Sequence, residues 1–397
     1  MRKGERSAPG EKRRAYNGPA LFSHGFRPFF FCAALFAGLA IPAWMAAFSH
    51  GYGIGTGGNA LTWHIHEMIY GYLAAAIAGF VMTAIPNWTG RLPVMGLPLA
   101  LLVLLWLAGR MLMFGSDYGM VTPIVDSLFL VIVAGFAWRE ILAGKNKRNL
   151  PICLLLSLFA LSNVLFHFEE ALGLPYQTGM RLGITVVTVL MMLIGGRIIP
   201  SFTTNWMRKQ GILPEPAPFG GYDKIAMLVA ALTLVGWVIA PNAALVGYGL
   251  VAVAIMHFVR LRRWRGWQTA RDPLMLVLHI AYAWIPAAFL LMGLAILRPE
   301  ALTAAHAMHA LTAGAAGQLT LAIMTRASLG HGGRELRAGA GTIAIYILAF
   351  TGALLRMIFP FTGMGYALGM SIAGIVWASA FLLFAILYAP LFFTKRR

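Results

Sequence analysis

Charge is what this sequence lacks. Only 11% of its 397 residues are Asp, Glu, Lys or Arg, where a soluble domain carries about 25%. Hydrophobic residues make up 59% of the chain, and the mean hydropathy is +0.75. An ordinary water-soluble globule cannot hide that much apolar surface, so that class is excluded. Cysteine is scarce as well. Cys32 and Cys153 both lie in apolar runs, without a CxxC pair or a c-type haem attachment motif. A disulfide framework and iron–sulfur ligation are therefore not expected. Acidic residues are few, and that scarcity also argues against zinc chemistry. Polar stretches long enough for a soluble domain are missing, as is the alternation over roughly ten residues that marks an outer-membrane barrel.

What is present is a series of long apolar runs. Twelve spans of about 21 residues would use roughly 250 positions, which this length allows. The runs are 28–49, 64–86, 94–114, 119–141, 150–172, 179–202, 223–240, 243–260, 272–297, 300–325, 341–360 and 364–393. The reading is an all-α polytopic membrane protein. It has a basic N-terminal segment over residues 1–20 and a single twelve-helix membrane domain over 21–397. The N-terminal segment leads into a span too long for the apolar region of a cleavable signal peptide.

The net charge of +18 suggests nucleic acid at first sight. Placement excludes that partner and points to the lipid bilayer. The basic residues cluster between apolar runs, and with twelve spans 26 of the 31 Lys and Arg fall on one side. The positive-inside rule then puts both termini in the cytoplasm. An odd span count would scatter the pattern. The exits of spans 2, 6 and 10 (TAIPNWTGR, RIIPSFTTNW and AIMTRASLGHGGR) also echo one another at intervals of four helices. Three four-helix arcs with pseudo-threefold order would explain the echo. So would the chance likeness of Thr-rich helix ends.

Ionisable groups inside a membrane are costly and usually have a task. His64 and His66 open span 2 in WHIHEM. His306 and His309 lie in the outer half of span 10, three residues apart and on one helix face. His279 lies on span 9, about 10 Å from the cytoplasmic edge at 1.5 Å per residue. These five are expected at converging depth as metal or cofactor ligands. A continuous helix would point His64 and His66 apart, unless His64 precedes the helix. Thiolate-poor imidazole sites suit haem b or copper. Gly71, Ala75 and Gly79 on span 2, with Ala310, Gly314 and Gly317 on span 10, could clear room for a porphyrin. Close helix packing would account for them equally. Arg110, Arg197 and Arg356 are candidates for holding propionates, or for snorkelling and structural pairing. Glu67 could orient His66, relay protons, or simply start a helix. His167 lies near the outer end of span 5. His24, His257 and His331 lie near cytoplasmic edges and are not expected as ligands, and His50 is given no role.

The strings ALFSHGFRPFF, WHIHEM, AIPNWTGR, RIIPSFTTN, LHIAYAW, AHAMHALTAGAAG and MTRASLGHGGR, in this order and spacing, resemble the NnrS family from about residue 20 to 395. The resemblance implies a bacterial inner-membrane protein that contains haem and copper, with a role in nitric oxide metabolism and nitrosative-stress protection beside denitrification. Nitric oxide is then the expected small-molecule partner, with an unknown electron donor. A more distant likeness is to the catalytic subunit of haem–copper oxidases, which holds a low-spin haem between histidines of its second and tenth spans. His64 or His66 and His306 or His309 match those positions. That subunit's copper centre uses histidines on spans 6, 7 and 8. Spans 6 and 7 here have none and span 8 has only His257, so a copy of it is excluded. Two other classes stay open. One is a membrane electron-transfer or haem-carrier module without catalysis. The other is a twelve-span secondary transporter, which would require broken helices and a two-fold repeat.

Overall fold

In the computed structural model the described residues are 16–55, 58–115, 119–363 and 365–395. Most of the basic N-terminal segment, residues 1–15, lies outside them. Twelve helices are long and apolar enough to cross a membrane. They are α1 (Phe26–His50), α2 (Ala60–Thr89), α3 (Leu97–Phe114), α4 (Val121–Ala143), α5 (Lys147–Phe168) and α6 (Thr178–Gln210). The second half holds α7 (Gly221–Ile239), α8 (Ala244–Arg263), α9 (Pro273–Leu297), α10 (Ala304–His331), α11 (Ala340–Phe361) and α12 (Tyr366–Phe393). All twelve expected spans are present. Their ends move where capping outweighs hydropathy. The Asn59 side chain accepts from the backbone N–H groups of Leu61 and Thr62, so α2 begins earlier than its apolar run and His64 lies inside it. Thr303 caps α10 in the same way. Helix α6 runs on through Arg208 and Lys209 to Gly211, whose φ of 67° gives the left-handed turn that ends it.

The helices form three arcs of consecutive neighbours: α11–α12–α1–α2, α3–α4–α5–α6 and α7–α8–α9–α10. The last member of each arc is innermost. Of the most apolar stretch, 78% is buried in α2, 67% in α6 and 67% in α10, against 28–56% in the other helices. These three touch one another at the centre, so the echo among their sequences coincides with a shared place in the bundle. The outer helices turn large apolar side chains such as Leu101, Leu104 and Ile225 outward, as a lipid-facing surface requires.

Two local features position the site. Helix α2 becomes π-helical over Glu67–Leu73, and α10 does so over Ala310–Ala316. Each widened turn follows a histidine pair, and such turns often mark functional places. Buried ion pairs also tie helices within two arcs. Arg110 of α3 meets Asp126 of α4. Arg260 of α8 donates to Asp223 of α7 at 2.8 Å and to the Tyr282 hydroxyl of α9 at 2.8 Å. A charge buried without a partner would cost several kcal/mol, roughly 3–5 by analogy with broken buried pairs.

Candidate cofactor site

One cavity of about 90 Å³ lies between α1, α2, α10, α11 and α12. Its wall is mainly apolar and aromatic, with Trp44, Tyr72 and Trp377 prominent. Three basic side chains interrupt it: His64, His309 and Arg356. Each has unused polar capacity. His64 makes no hydrogen bond among the described residues. Its ring stacks on Trp44 at 4.1 Å between centroids and 19° between planes. The His309 Nδ1 lies 2.6 Å from the Ala305 carbonyl oxygen. That oxygen can only accept, so the proton sits on Nδ1 and Nε2 keeps its lone pair. Nε and Nη1 of Arg356 are buried without a hydrogen-bond partner. Two imidazoles with available nitrogens and a guanidinium with two unused donors thus meet at one cavity lined mainly by apolar and aromatic side chains.

His66 has a different setting. It is fully buried behind the cavity wall. Its Nδ1 is 2.9 Å from Glu67 Oε1, and its Nε2 is 3.0 Å from Asp126 Oδ2 and 3.1 Å from Asn163 Oδ1. His167 Nε2 approaches the same Asp126 oxygen at 3.0 Å. Asn163 Nδ2 donates to it at 2.8 Å. The Arg110 guanidinium bonds Asp126 Oδ1 and lies 3.5 Å from Glu67 Oε2. Six side chains from α2, α3, α4 and α5 thus form one dry cluster.

The structure therefore divides the histidines expected to converge. His64 and His309 share a cavity, and His66 joins the separate cluster. His306 is half exposed at the start of α10, bonded to Thr303 Oγ1 at 2.9 Å. His279 faces Thr203 of α6 at 2.8 Å, towards the end of the bundle where the basic residues collect. The i, i+2 spacing of His64 and His66 explains their separation, because a continuous helix turns them apart. The His279 side chain points at Thr203 of α6 and not into the cavity.

Among the arginines, Arg110 is committed to carboxylates and Arg197 donates to Asn149 Oδ1 at 2.9 Å. Only Arg356 faces the cavity. Glu67 touches His66 and Arg110, and it is not on the cavity wall. The small residues serve close packing. A Cβ on Gly71 would meet Arg110 and Phe36, one on Gly314 would meet Trp284, and one on Gly317 would meet Trp377. Carboxylates are also less rare inside than composition suggested, since Glu67, Asp126, Glu140 and Asp223 are all buried. Asp126 and Asn163 were missed. A signal was present, because Asp126 is an acid near one end of an otherwise apolar helix.

Fold and composition define an all-α, multi-pass membrane protein with a histidine-bearing cavity between its inner helices. The sequence profile described as "NnrS protein" matches residues 20–396, nearly the whole chain, and the chain belongs to the NnrS family. No curated protein matches it at a significant level.

Proposed function

We propose that this chain is a haem-binding protein of the bacterial cytoplasmic membrane that also carries copper. It binds or turns over nitric oxide and so contributes to nitrosative-stress protection. The single observation that carries the cofactor part is the meeting of His64, His309 and Arg356 at one cavity. Family membership supports the link to nitric oxide. Haem b held there would supply a redox-active iron able to take a diatomic gas.

The protein's part is to position and enclose. Ala305 fixes the His309 tautomer, Trp44 backs the His64 ring, and Arg356 offers N–H donors to an anionic group. A second apolar void of about 70 Å³ lies among α1, α2, α6 and α10. A smaller one shares Ile69, Leu73 and Thr312 with the wall of the histidine cavity. It also shares Leu73, Val187 and Met191 with the wall of the second void. Such an apolar interior suits a small neutral gas and offers nothing to an ion. If protons are consumed, a relay through Glu67 starts one layer behind the cavity wall. The basic ends of the helices face the cytoplasm on this reading.

The electron-transfer reading is favoured by one fact, that two histidines face the same cavity and could occupy both axial positions. Optical spectra of the purified protein, oxidised and reduced, with and without nitric oxide, separate the two. Reduced protein is expected to shift its Soret band on adding the gas. A reduced spectrum indifferent to nitric oxide would leave the electron-transfer module. The transporter alternative gains no support from an inner triad arranged by threes.

A further inference from the structure

We propose that His66, Asp126 and His167 form a second metal site, for a divalent first-row transition ion, separate from the haem cavity. Their ligand atoms all lie within 4.8 Å of one another. Both His–Asp separations are 3.0 Å. Around an ion with bonds of about 2.1 Å, neighbouring ligand atoms sit roughly 3.0 Å apart in an octahedron and 3.4 Å in a tetrahedron. Small rotations of three side chains would bring an ion into their midst. Two imidazoles and one carboxylate suit borderline ions such as Cu²⁺ or Zn²⁺. Magnesium and calcium prefer all-oxygen surroundings, and softer monovalent copper prefers sulfur.

The hydrogen bonds around His66 supply an independent argument. Its Nδ1 faces the Glu67 carboxylate, while its Nε2 faces Asp126 Oδ2 and Asn163 Oδ1. All of these oxygens are acceptors. A neutral imidazole has one proton, so one of its lone pairs is left pointing at a carboxylate. An ion between Nε2 and Asp126 removes that conflict. The Nδ1 proton then bonds Glu67, which gives the carboxylate–histidine–metal arrangement that orients ligands in metal sites. Two acids, Glu67 and Asp126, face one fixed cation, Arg110, in this buried cluster, a balance that favours a further cation. Glu67 Oε2, with no hydrogen bond of its own, completes a surround prepared for a cation.

The site shares no side chain with the haem cavity, so this proposal and the haem reading fail separately, while the copper part of the proposed function rests on the same site. The test uses the full-length, haem-loaded protein in detergent. Cu²⁺ is titrated in while electron paramagnetic resonance is recorded, and Zn²⁺ is added as a competitor with metal content measured by mass spectrometry. The expected result is one ion per chain, with splitting from two imidazole nitrogens. Competition shows whether both ions take the same site. His167→Ala, at the half-buried edge of the cluster, should abolish stoichiometric binding and keep the haem spectrum. Glu67→Gln should weaken binding about 10–100-fold. Asp126→Asn leaves Arg110 without its nearest partner, so His167→Ala carries the test if that variant does not fold. Absence of stoichiometric binding by the parent protein would overturn the proposal and leave a trapped proton as the missing charge. Binding unchanged by His167→Ala would overturn it too.

Discussion

His64 and His66 are two residues apart on one helix and occupy opposite kinds of site. His64 borders empty space, stacks on a tryptophan and bonds to nothing polar among the described residues. His66 is fully enclosed, with carboxylate and amide oxygens on both ring nitrogens. The first is a site with polar capacity to spare beside open space. The second has acceptor oxygens in excess around one ring. Histidines in a membrane span are thus told apart by what their neighbours leave unsatisfied, and residue type alone does not decide the ligand.

The contrast breaks most sharply at His309. His309→Ala should remove nearly all haem, measured as haem per chain by the pyridine haemochrome assay. His306→Ala, on the same helix face but half exposed, should keep it. Haem retained in the His309 variant would take the cavity out of the cofactor reading. Next in size is the stability of the enclosed side. Asp126→Ala strips Arg110 of its nearest counter-charge, and the expected loss is about 3–5 kcal/mol. Unfolding by denaturant in mixed micelles reads this, and an unchanged midpoint would show that Glu67 alone neutralises the guanidinium. The smallest effect is expected at Arg356. Arg356→Gln should weaken haem retention roughly tenfold, in line with the loss of one charged hydrogen bond. Haem transfer to apomyoglobin measures it, and an unaltered transfer rate would mean that Arg356 pairs elsewhere.

The architecture was legible because a bilayer imposes a length on each helix and a charge bias on each connection. All twelve spans could be read from hydropathy, and the inner positions of α2, α6 and α10 were foreshadowed by the likeness of their ends. Helix boundaries were less legible. Asn59, Thr303 and Gly211 set them through backbone hydrogen bonding, to which hydropathy is blind. The site was legible as a set of residue types and opaque as a set of partnerships. Depth along an axis can be computed from sequence, but the facing direction of His279 cannot. Nor could sequence show that Arg110 is taken up by Asp126 while Arg356 is left to face the void. Those outcomes depend on which helices become neighbours across the bundle.

The paired π-helical turns set the angular phase of each histidine segment. An ordinary helix advances about 100° per residue, and a π turn holds roughly one residue more than an α turn. Each widened turn therefore acts as a gear tooth between the histidine end of its helix and the remainder. Were the same residues wound as an ordinary α-helix throughout, His64 and His66 would turn together by about 100° relative to the rest of α2. The cavity and the cluster would both lose their imidazoles in one step, with no ligand residue altered. Helix α10 carries the same device over Ala310–Ala316, so the two histidine faces are meshed from both sides. In this bundle the count of residues between histidine and helix centre is as much a part of the binding chemistry as the histidines themselves.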